Sequence, residues 1–418
     1  MIFFNLKKNS NFLPFFDQAV VSGTSFFLSI FILRLLGLEL FGIYSSFWLI
    51  ILFINSMQLS AITNPMLTNV NHYSENEHNF YYSSIFIHQL IFNIAIFFLI
   101  KIIFFLGLYI NLYENLPETL NHFIFALISI QFFQFFRKFL YSKKKFKKIL
   151  VSDLIIFLTL FTTLIYLEIN SKLELKSIFI SLSIAYTLGS LINLFSFVKK
   201  LKFSLSKFLI YTKDNFKIAK WMVLSSITQW FSGNLWVVNT GLILGLSQLG
   251  ILRACQQIVQ IINLLFQTFE NIVPVEITKI YLQNVSNINK YIKNFLIKKI
   301  IIIIFVVLFL SIFSKFILEI FYGSNISKYN YILIFLSFNI FLVFLRIPYS
   351  SALRTLGSTK GIFLSSLTTS IFALLVSKYI ISKFQIYGVL FGLFFTEFIL
   401  TTIIVLSYYI FIKKKSEI

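Results

Sequence analysis

Long polar side chains recur at helical spacing in an otherwise apolar stretch, residues 250–273. At 100° per residue, five of them fall within about 80° on one side of a helix: Arg253, Gln257, Gln260, Gln267 and Asn271. The other sides carry Ile, Leu, Val and Phe. Such a stripe either lines a wet cavity or forms hydrogen bonds with neighbouring helices. Four long amides and a cation exceed what helix association needs, so we favour a wet lining.

Two other apolar stretches carry comparable stripes. They hold Ser225, Gln229, Gly233, Trp236 and Thr240 in one, and Asn339, Arg346 and Ser350 in the other. Guanidinium and ammonium groups bind phosphate, amides bind sugar hydroxyls, and aromatic faces accept the apolar face of a sugar ring. Together these groups suit a ligand that is anionic and rich in hydroxyl groups.

Ionisable side chains within apolar stretches are the remaining candidates for chemistry. Glu397 lies near the middle of the last stretch and predicts a buried carboxylate that is ion-paired or protonatable. Asp17 is either a helix cap near the membrane surface or a carboxylate in a cavity. Lys101 either extends its ammonium group to the membrane surface or lies deep. Arg253 and Arg346 lie near the ends of their stretches, where extension to the surface would also suffice.

Membrane-spanning helices are the elements that must position these residues. Hydrophobic residues make up 58% of the 418 positions and charged residues 12%, whereas soluble domains have about 25% charged residues. The single cysteine, Cys255, excludes an intramolecular disulfide and a cysteine metal cluster. Segments of about 20 apolar residues predict twelve spans: 12–34, 41–63, 82–108, 119–140, 150–168, 177–198, 218–244, 250–273, 297–317, 331–352, 360–381 and 386–411.

The net charge of +21 does not indicate nucleic acid binding, because its distribution follows the predicted spans. Alternate connections, starting from the N-terminus, hold 26 of the 36 Lys and Arg residues, and the other connections hold 7. This bias predicts that both termini are cytoplasmic. The basic runs 137–148 and 199–220 are then cytoplasmic loops, which act as orientation signals or bind anionic lipid headgroups.

Two short segments repeat along the chain: LGLELFGI at 36–43 and LGLSQLGI at 244–251. Five of eight positions are identical, and the offset of 208 residues is almost half the length. Chance similarity is the alternative, but this offset favours duplication. We therefore predict an N-terminal six-helix bundle, 1–200, and a C-terminal six-helix bundle, 201–418, related by a pseudo-twofold axis along the membrane normal. Such bundles rock around a shared central cavity.

Two longer segments carry a family resemblance. The first spans residues 15–47 and matches at Asp17-Gln18, the small residues 22–25, Arg34, Leu36-Gly37 and Phe41-Gly42. The second spans residues 218–274 and matches at Lys220-Trp221, Asn234, Gly245, Leu249-Gly250, Arg253-Ala254 and Pro274. These segments resemble bacterial polysaccharide flippases, the Wzx-like transporters of the multidrug/oligosaccharidyl-lipid/polysaccharide (MOP) exporter superfamily.

The resemblance implies outward translocation of an undecaprenyl-diphosphate-linked oligosaccharide across the bacterial cytoplasmic (inner) membrane, before polymerisation into O-antigen, capsule or a similar glycan. It also implies alternating access, coupling to a proton or sodium gradient without another cofactor, and cooperation with other polysaccharide-assembly membrane proteins. The family places cations deep in the cavity, whereas only one here, Lys101, is expected to be deep. The expected roles are diphosphate neutralisation by Lys101, Arg253 and Arg346, sugar contact by Gln229, Trp236, Gln257 and Gln260, and ion coupling by Asp17 or Glu397.

Two rival functions differ in class. An integral-membrane polysaccharide polymerase or lipid-linked glycosyltransferase would need a sizeable outside loop or a catalytic carboxylate there, and the outside carboxylates are scattered. A drug/cation antiporter of the same superfamily would bind cations, which fits poorly with arginines in the lining. An ATP-driven pump is excluded for this chain alone because no G-x-x-x-x-G-K-[ST] loop is present. We therefore predict a transporter rather than an enzyme.

Overall fold

The computed structural model describes residues 13–105, 116–199, 201–283 and 287–416, and within them the chain forms helices and short connections without β-strands. The helices are α1 (Leu13–Gln58), α2 (Asn64–Asn69), α3 (His78–Phe105), α4 (Leu116–Ser142), α5 (Phe146–Ile169), α6 (Leu175–Val198), α7 (Leu205–Leu244), α8 (Leu246–Gln260), α9 (Asn263–Gln283), α10 (Asn287–Ile312), α11 (Ser314–Tyr322), α12 (Ser324–Ser327), α13 (Asn330–Thr355) and α14 (Lys360–Ser416).

The described helices account for the twelve predicted crossings. Eight continuous helical stretches are long and apolar enough to span a membrane. Two of these, α1 and α14, are each broken at one non-helical residue, Gly37 and Gln385, and so supply two crossings each. The bent pair α8–α9 is a further candidate, and α7, which is not among these apolar stretches, is long enough at 40 residues to complete the twelve. The third predicted span ends at 106–108, outside the described residues.

The internal repeat is also visible in the backbone. Gly37 and Gly245, which are 208 residues apart, both have positive φ, at 84° and 91°, and each lies between two helical segments. Only glycine adopts this conformation without strain. Five residues further along, Gly42 lies against the carbonyl of Leu246, and Gly250 lies against the carbonyl of Leu38. These contacts are reciprocal under the 208-residue offset, as a twofold relation requires.

The described chain forms two compact units. Unit 1 consists of the described residues within 1–25 and 47–227, and unit 2 consists of those within 26–46 and 228–418. Unit 1 has an aromatic core around Tyr81 and Phe135, and unit 2 has a core around Val273 and Tyr408. The predicted bundles, 1–200 and 201–418, were defined by counting membrane crossings, whereas the two units are defined by compactness. The predicted boundaries therefore stay a prediction.

The prediction that the basic run 199–220 is a loop is wrong for most of its length, because α7 begins at Leu205. The first turns of α7 pack on α2 and α3 through polar contacts within unit 1. Asn69 Nδ2 and Tyr81 Oη donate to Asn215 Oδ1 at 2.8 and 2.9 Å. Tyr73 Oη donates to Asp214 Oδ2 at 3.0 Å. These tertiary contacts stabilise helix in a segment whose composition resembles a loop.

The predicted span 250–273 is also wrong as one straight helix. α8 begins at Leu246 and ends at Gln260, and the chain then bends by 48° before α9 continues. Backbone amides of Ile261 and Ile262 donate only three residues back, to Ile258 and Val259, which marks the break. The stripe on 253–271 is therefore divided between two helical segments that point in different directions.

Candidate functional site

Two polar cavities lie within unit 2. The first has a volume of about 230 Å³ and is lined by α7, α8, α13 and α14. The second has a volume of about 420 Å³ and is lined by α7, α9, α13 and α14. The cavities are neighbours, because both are lined by Ser232, Gly233, Val343 and Glu397.

Arg253 is the buried cation of the first cavity. It is only 5% exposed, and its Nη1 donates to Gln256 Oε1 at 3.1 Å. Gln260, Asn234 and Asn339 line the same cavity and supply amide groups. A guanidinium that donates to a neutral amide retains its full positive charge, and burial makes that charge costly unless an anion approaches. The first cavity is therefore suited to an anion with hydrogen-bonding groups around it.

Arg346 and Glu397 form an ion pair at the second cavity. Arg346 Nη1 lies 2.8 Å from Glu397 Oε2, and the two side chains are 21% and 26% exposed. Because Glu397 lines both cavities, this pair stands at the junction between them. The sequence predicted an ion-paired or protonatable Glu397, and the structure pairs it with another residue singled out for charge.

The predicted amide ligands do not all line the same cavity. Gln260 lines the first cavity, and Gln229 and Gln267 line the second. Gln257 is half-buried and is not among the lining residues of either cavity. The side chain of Asn271, the last residue of the stripe, lies outside the described side chains.

Trp236 does not face the cavities, contrary to its expected role in sugar contact. It is completely buried in unit 2, where its Nε1 donates to Thr396 Oγ1 at 3.0 Å. Its ring packs directly on Gly392, where a Cβ would overlap it, and lies 5.9 Å from the ring of Phe372. In this conformation Trp236 packs α7 against α14, so its predicted contact with sugar has no support from the geometry.

Asp17 belongs to a buried ionic cluster in unit 1. It is 1% exposed, and its Oδ2 accepts hydrogen bonds from Arg137 Nη2 at 2.6 Å and Tyr141 Oη at 2.7 Å. Arg137 Nε lies 3.3 Å from Asp153 Oδ2. Both interpretations of Asp17, helix cap and cavity carboxylate, are therefore replaced by a cluster of three charged side chains. This cluster joins α1, α4 and α5.

Lys101 lies on α3 in unit 1, and its Nζ donates to Asn121 Oδ1 on α4 at 2.5 Å. Its side chain is half-buried, and its amide partner leaves the ammonium charge intact. Lys101 thus lies in the other unit from Arg253 and Arg346. Its role toward a diphosphate stays a prediction.

Several polar groups were missed from the sequence. Arg137 had been assigned to a cytoplasmic loop, although α4 continues to Ser142 and buries it. Arg354 and Glu270 line the second cavity and were also missed. A helical signal existed for Arg354, because Arg346, Ser350 and Arg354 are spaced four residues apart and share one face.

Comparisons with known proteins were made for the sequence and for the fold. A family model described as "Polysaccharide biosynthesis protein" matches residues 18–280. No curated protein sequence matches significantly.

Among solved structures, the lipid II flippase MurJ in an inward closed conformation matches with a TM-score of 0.72 and 15% identity, covering 95% of this chain and 87% of that chain. An inward-facing multidrug resistance MATE family transporter of the MOP superfamily matches with a TM-score of 0.70 and 12% identity, covering 99% and 97%. A MOP-superfamily transporter from Pyrococcus furiosus matches with a TM-score of 0.68 and 13% identity, covering 96% and 94%.

At these identities the structural matches establish the fold, whereas the family model, which matches more than half of the chain, establishes the family. Both agree with the resemblance recognised in residues 15–47 and 218–274. The chain is a multi-pass membrane protein that has the fold of the MOP-superfamily transporters and belongs to the polysaccharide biosynthesis protein family.

Proposed function

We propose that this protein is a flippase that moves a polyprenyl-diphosphate-linked oligosaccharide from the cytoplasmic to the outer leaflet of the bacterial cytoplasmic membrane by alternating access. Its family and its fold support a transporter of a lipid-linked glycan precursor rather than an enzyme. The observation that carries the proposal is the pair of polar cavities in unit 2, which holds a buried arginine and a second arginine paired with a glutamate. We assign both termini to the cytoplasm from the Lys and Arg bias.

The diphosphate is the part of the substrate that these cavities suit best. Arg253 is buried beside amides and forms no ion pair with a carboxylate among the described residues, so an approaching phosphate would supply an anion to its guanidinium. Gln260 lines the first cavity and Gln229 the second. Their amide groups can accept hydrogen bonds from sugar hydroxyls and donate hydrogen bonds to them. Lys101, Gln257 and Trp236 remain candidate ligands for other conformations of the transport cycle.

Glu397 is our candidate for ion coupling. In this conformation its carboxylate is neutralised by Arg346. A diphosphate that takes Arg346 as a ligand would leave Glu397 without a counter-charge inside the membrane, where an unpaired carboxylate is costly. Glu397 would then take up a proton or a sodium ion, which links substrate binding to the gradient. Asp17 is less suited to this role, because its partners Arg137 and Tyr141 already surround it.

The first experiment tests the transport activity itself. Deletion of the gene should cause complete lipid-linked repeat units to accumulate on the cytoplasmic leaflet. Accumulation of single units already on the outer side would instead indicate a polymerase. Efflux of a cationic dye such as ethidium by the purified protein, without glycan transport, would indicate a drug antiporter.

A second experiment tests Arg346 and Glu397 by reversing the pair. The double variant Arg346→Glu/Glu397→Arg restores an ion pair and should fold as well as the wild type. In proteoliposomes that contain the lipid-linked oligosaccharide, we expect it to lose most transport, because the arginine now lies on α14. Recovery of wild-type transport would mean that the pair is only structural.

A third experiment concerns the buried cation. Arg253→Gln should weaken binding of undecaprenyl diphosphate about tenfold to a hundredfold, since it removes a charged phosphate contact. Gln256→Ala on the same helix is the matched control, because it removes the neutral partner of Arg253 and keeps the charge. Equal affinities for wild type and Arg253→Gln would contradict a phosphate role for Arg253.

A further inference from the structure

A third cavity lies in unit 1, apart from the residues assigned to transport. Its volume is about 290 Å³. Four successive helices contribute to it at one end of their spans. They are the start of α3, the end of α4, the start of α5, and the end of α6 together with the segment that follows it. The lining residues are Asn79, Tyr82, Ser83, Phe139, Leu140, Lys143, Lys145, Lys148, Phe197 and Leu201.

Lysines supply the charge of this cavity. Three line it, Lys143, Lys145 and Lys148, and none of the described lining residues is a carboxylate. The turn between α4 and α5 brings them together, because Lys144 adopts a left-handed φ of 53° and the amide of Lys145 donates to Leu140 at 3.0 Å. Lys143 Nζ also lies 4.5 Å from the centre of the Tyr82 ring, which fixes its direction.

The rest of the cavity is apolar and aromatic. Phe139 and Leu140 on α4, Phe197 at the end of α6 and Leu201 just beyond α6 line it. The candidate spans His78–Phe105, Glu118–Ser142, Phe146–Ile169 and Leu175–Phe195 all begin or end beside it. A cationic rim above an apolar wall at the end of four spans has the polarity of the boundary between lipid headgroups and acyl chains.

We propose that this cavity binds the phosphate headgroup of an anionic membrane phospholipid. Phosphate oxygens would contact the three ammonium groups, and the Asn79 side chain adds a neutral hydrogen-bonding group. The apolar wall selects a lipid over a soluble phosphate, because the glycerol and the first acyl carbons would cover the exposed Leu201 and the half-buried Phe139. The two alternatives suggested by the basic run, orientation and headgroup binding, thus act together at one place. This proposal does not depend on the transport activity.

Native mass spectrometry of the full chain in detergent tests the proposal. Wild type should retain phosphatidylglycerol in preference to phosphatidylcholine. The triple variant Lys143→Gln/Lys145→Gln/Lys148→Gln should bind phosphatidylglycerol roughly tenfold or more weakly, since each basic residue adds to attraction for anionic lipid. The triple Lys→Arg variant keeps the charges and should retain the lipid.

The matched control is Lys290→Gln/Lys293→Gln/Lys298→Gln, which removes the same charge from exposed positions on α10. It should bind phosphatidylglycerol as wild type does, and equal loss in both triple variants would overturn the proposal. Inorganic phosphate forms a separate arm. If phosphate displaced the lipid or protected the protein against thermal unfolding as well as phosphatidylglycerol does, the site would be one for soluble phosphate. Gel filtration of each variant checks that it folds.

Discussion

Unit 1 and unit 2 each hold an arginine–carboxylate pair among apolar helices, but the two pairs have different surroundings. In unit 1, Asp17 and Arg137 have side chains only 2% and 10% exposed, and Tyr141 and Asp153 complete the cluster. In unit 2, Arg346 and Glu397 are 21% and 26% exposed and line cavities. We call the first pair sealed, because the cavity beside Arg137 and Asp153 has a volume of only about 20 Å³, whereas the second pair lines a cavity of about 420 Å³ that water and a ligand can enter.

This difference in exposure distinguishes a pair with a structural role from a pair with a functional role. A buried guanidinium between two carboxylates cannot leave without exposing unpaired charge in the interior, so the cluster of Asp17 joins α1, α4 and α5 permanently. A pair at a cavity surface loses less when one partner is replaced, because water, a ligand or a proton can then stabilise the partner that remains. The sealed pair therefore suits a fixed joint, and the wet pair suits an exchangeable site. Burial, rather than the presence of a carboxylate in a span, distinguishes them.

The largest expected effect comes from removing the arginine of the sealed cluster. Arg137→Met should reduce the free energy of unfolding by about 3–5 kcal/mol, because it leaves two carboxylates unpaired in the interior. Arg346→Met is the matched control and should cost about 1 kcal/mol or less. Thermal unfolding in detergent, followed by gel filtration, measures both. Similar losses in the two variants would contradict the distinction between the pairs.

An intermediate effect is expected within the sealed cluster. Asp17→Asn should cost about 1–3 kcal/mol, since Asp17 accepts two short hydrogen bonds, one of them from a cation. Asp153→Asn should cost less, because its contact with Arg137 is longer, at 3.3 Å, and one guanidinium neutralises only one of the two carboxylates. The same unfolding measurement ranks the two variants. A greater cost for Asp153→Asn would show that the shorter contact is not the dominant one.

The smallest expected effect is at the wet pair. Glu397→Gln should change the free energy of unfolding by less than about 1 kcal/mol, and that change should shrink as salt is raised. The effect of Asp17→Asn should be insensitive to salt, because counter-ions do not enter the sealed cluster. Unfolding at low and high ionic strength compares the two. A salt-independent cost at Glu397 would mean that this pair is sealed as well.

The fold could be predicted from the sequence because membrane helices must satisfy their backbone hydrogen bonds internally and must be long enough to cross lipid. The apolar segments and the repeat at 36–43 and 244–251 therefore followed from composition and spacing. Helix ends were less predictable. The basic start of α7 and the end of α4 look like loops in sequence, but contacts of Asn215 and Arg137 with other helices make them helical.

The candidate site was predicted in part. Residues 253, 260 and 346 could be predicted because periodicity reports which side of a helix is polar. Arg253 and Gln260 line the first cavity, and Arg346 lines the second. Periodicity does not report how deeply a side chain is packed, so it could not indicate that Trp236 is completely buried in this conformation. The cluster of Asp17 combines residues 120 and 136 positions further along the chain, and no local pattern reports such distances.

The reciprocal approach of Gly42 and Gly250 to each other's segments has a consequence for how the two halves of this chain diverge. A duplicated gene normally lets one copy accumulate substitutions while the other preserves the original requirement. Here a methyl group at either glycine would collide with the main chain of the opposite copy, and no change of side chain there could make room. At both positions any side chain larger than that of glycine would therefore displace the backbone of the opposite repeat.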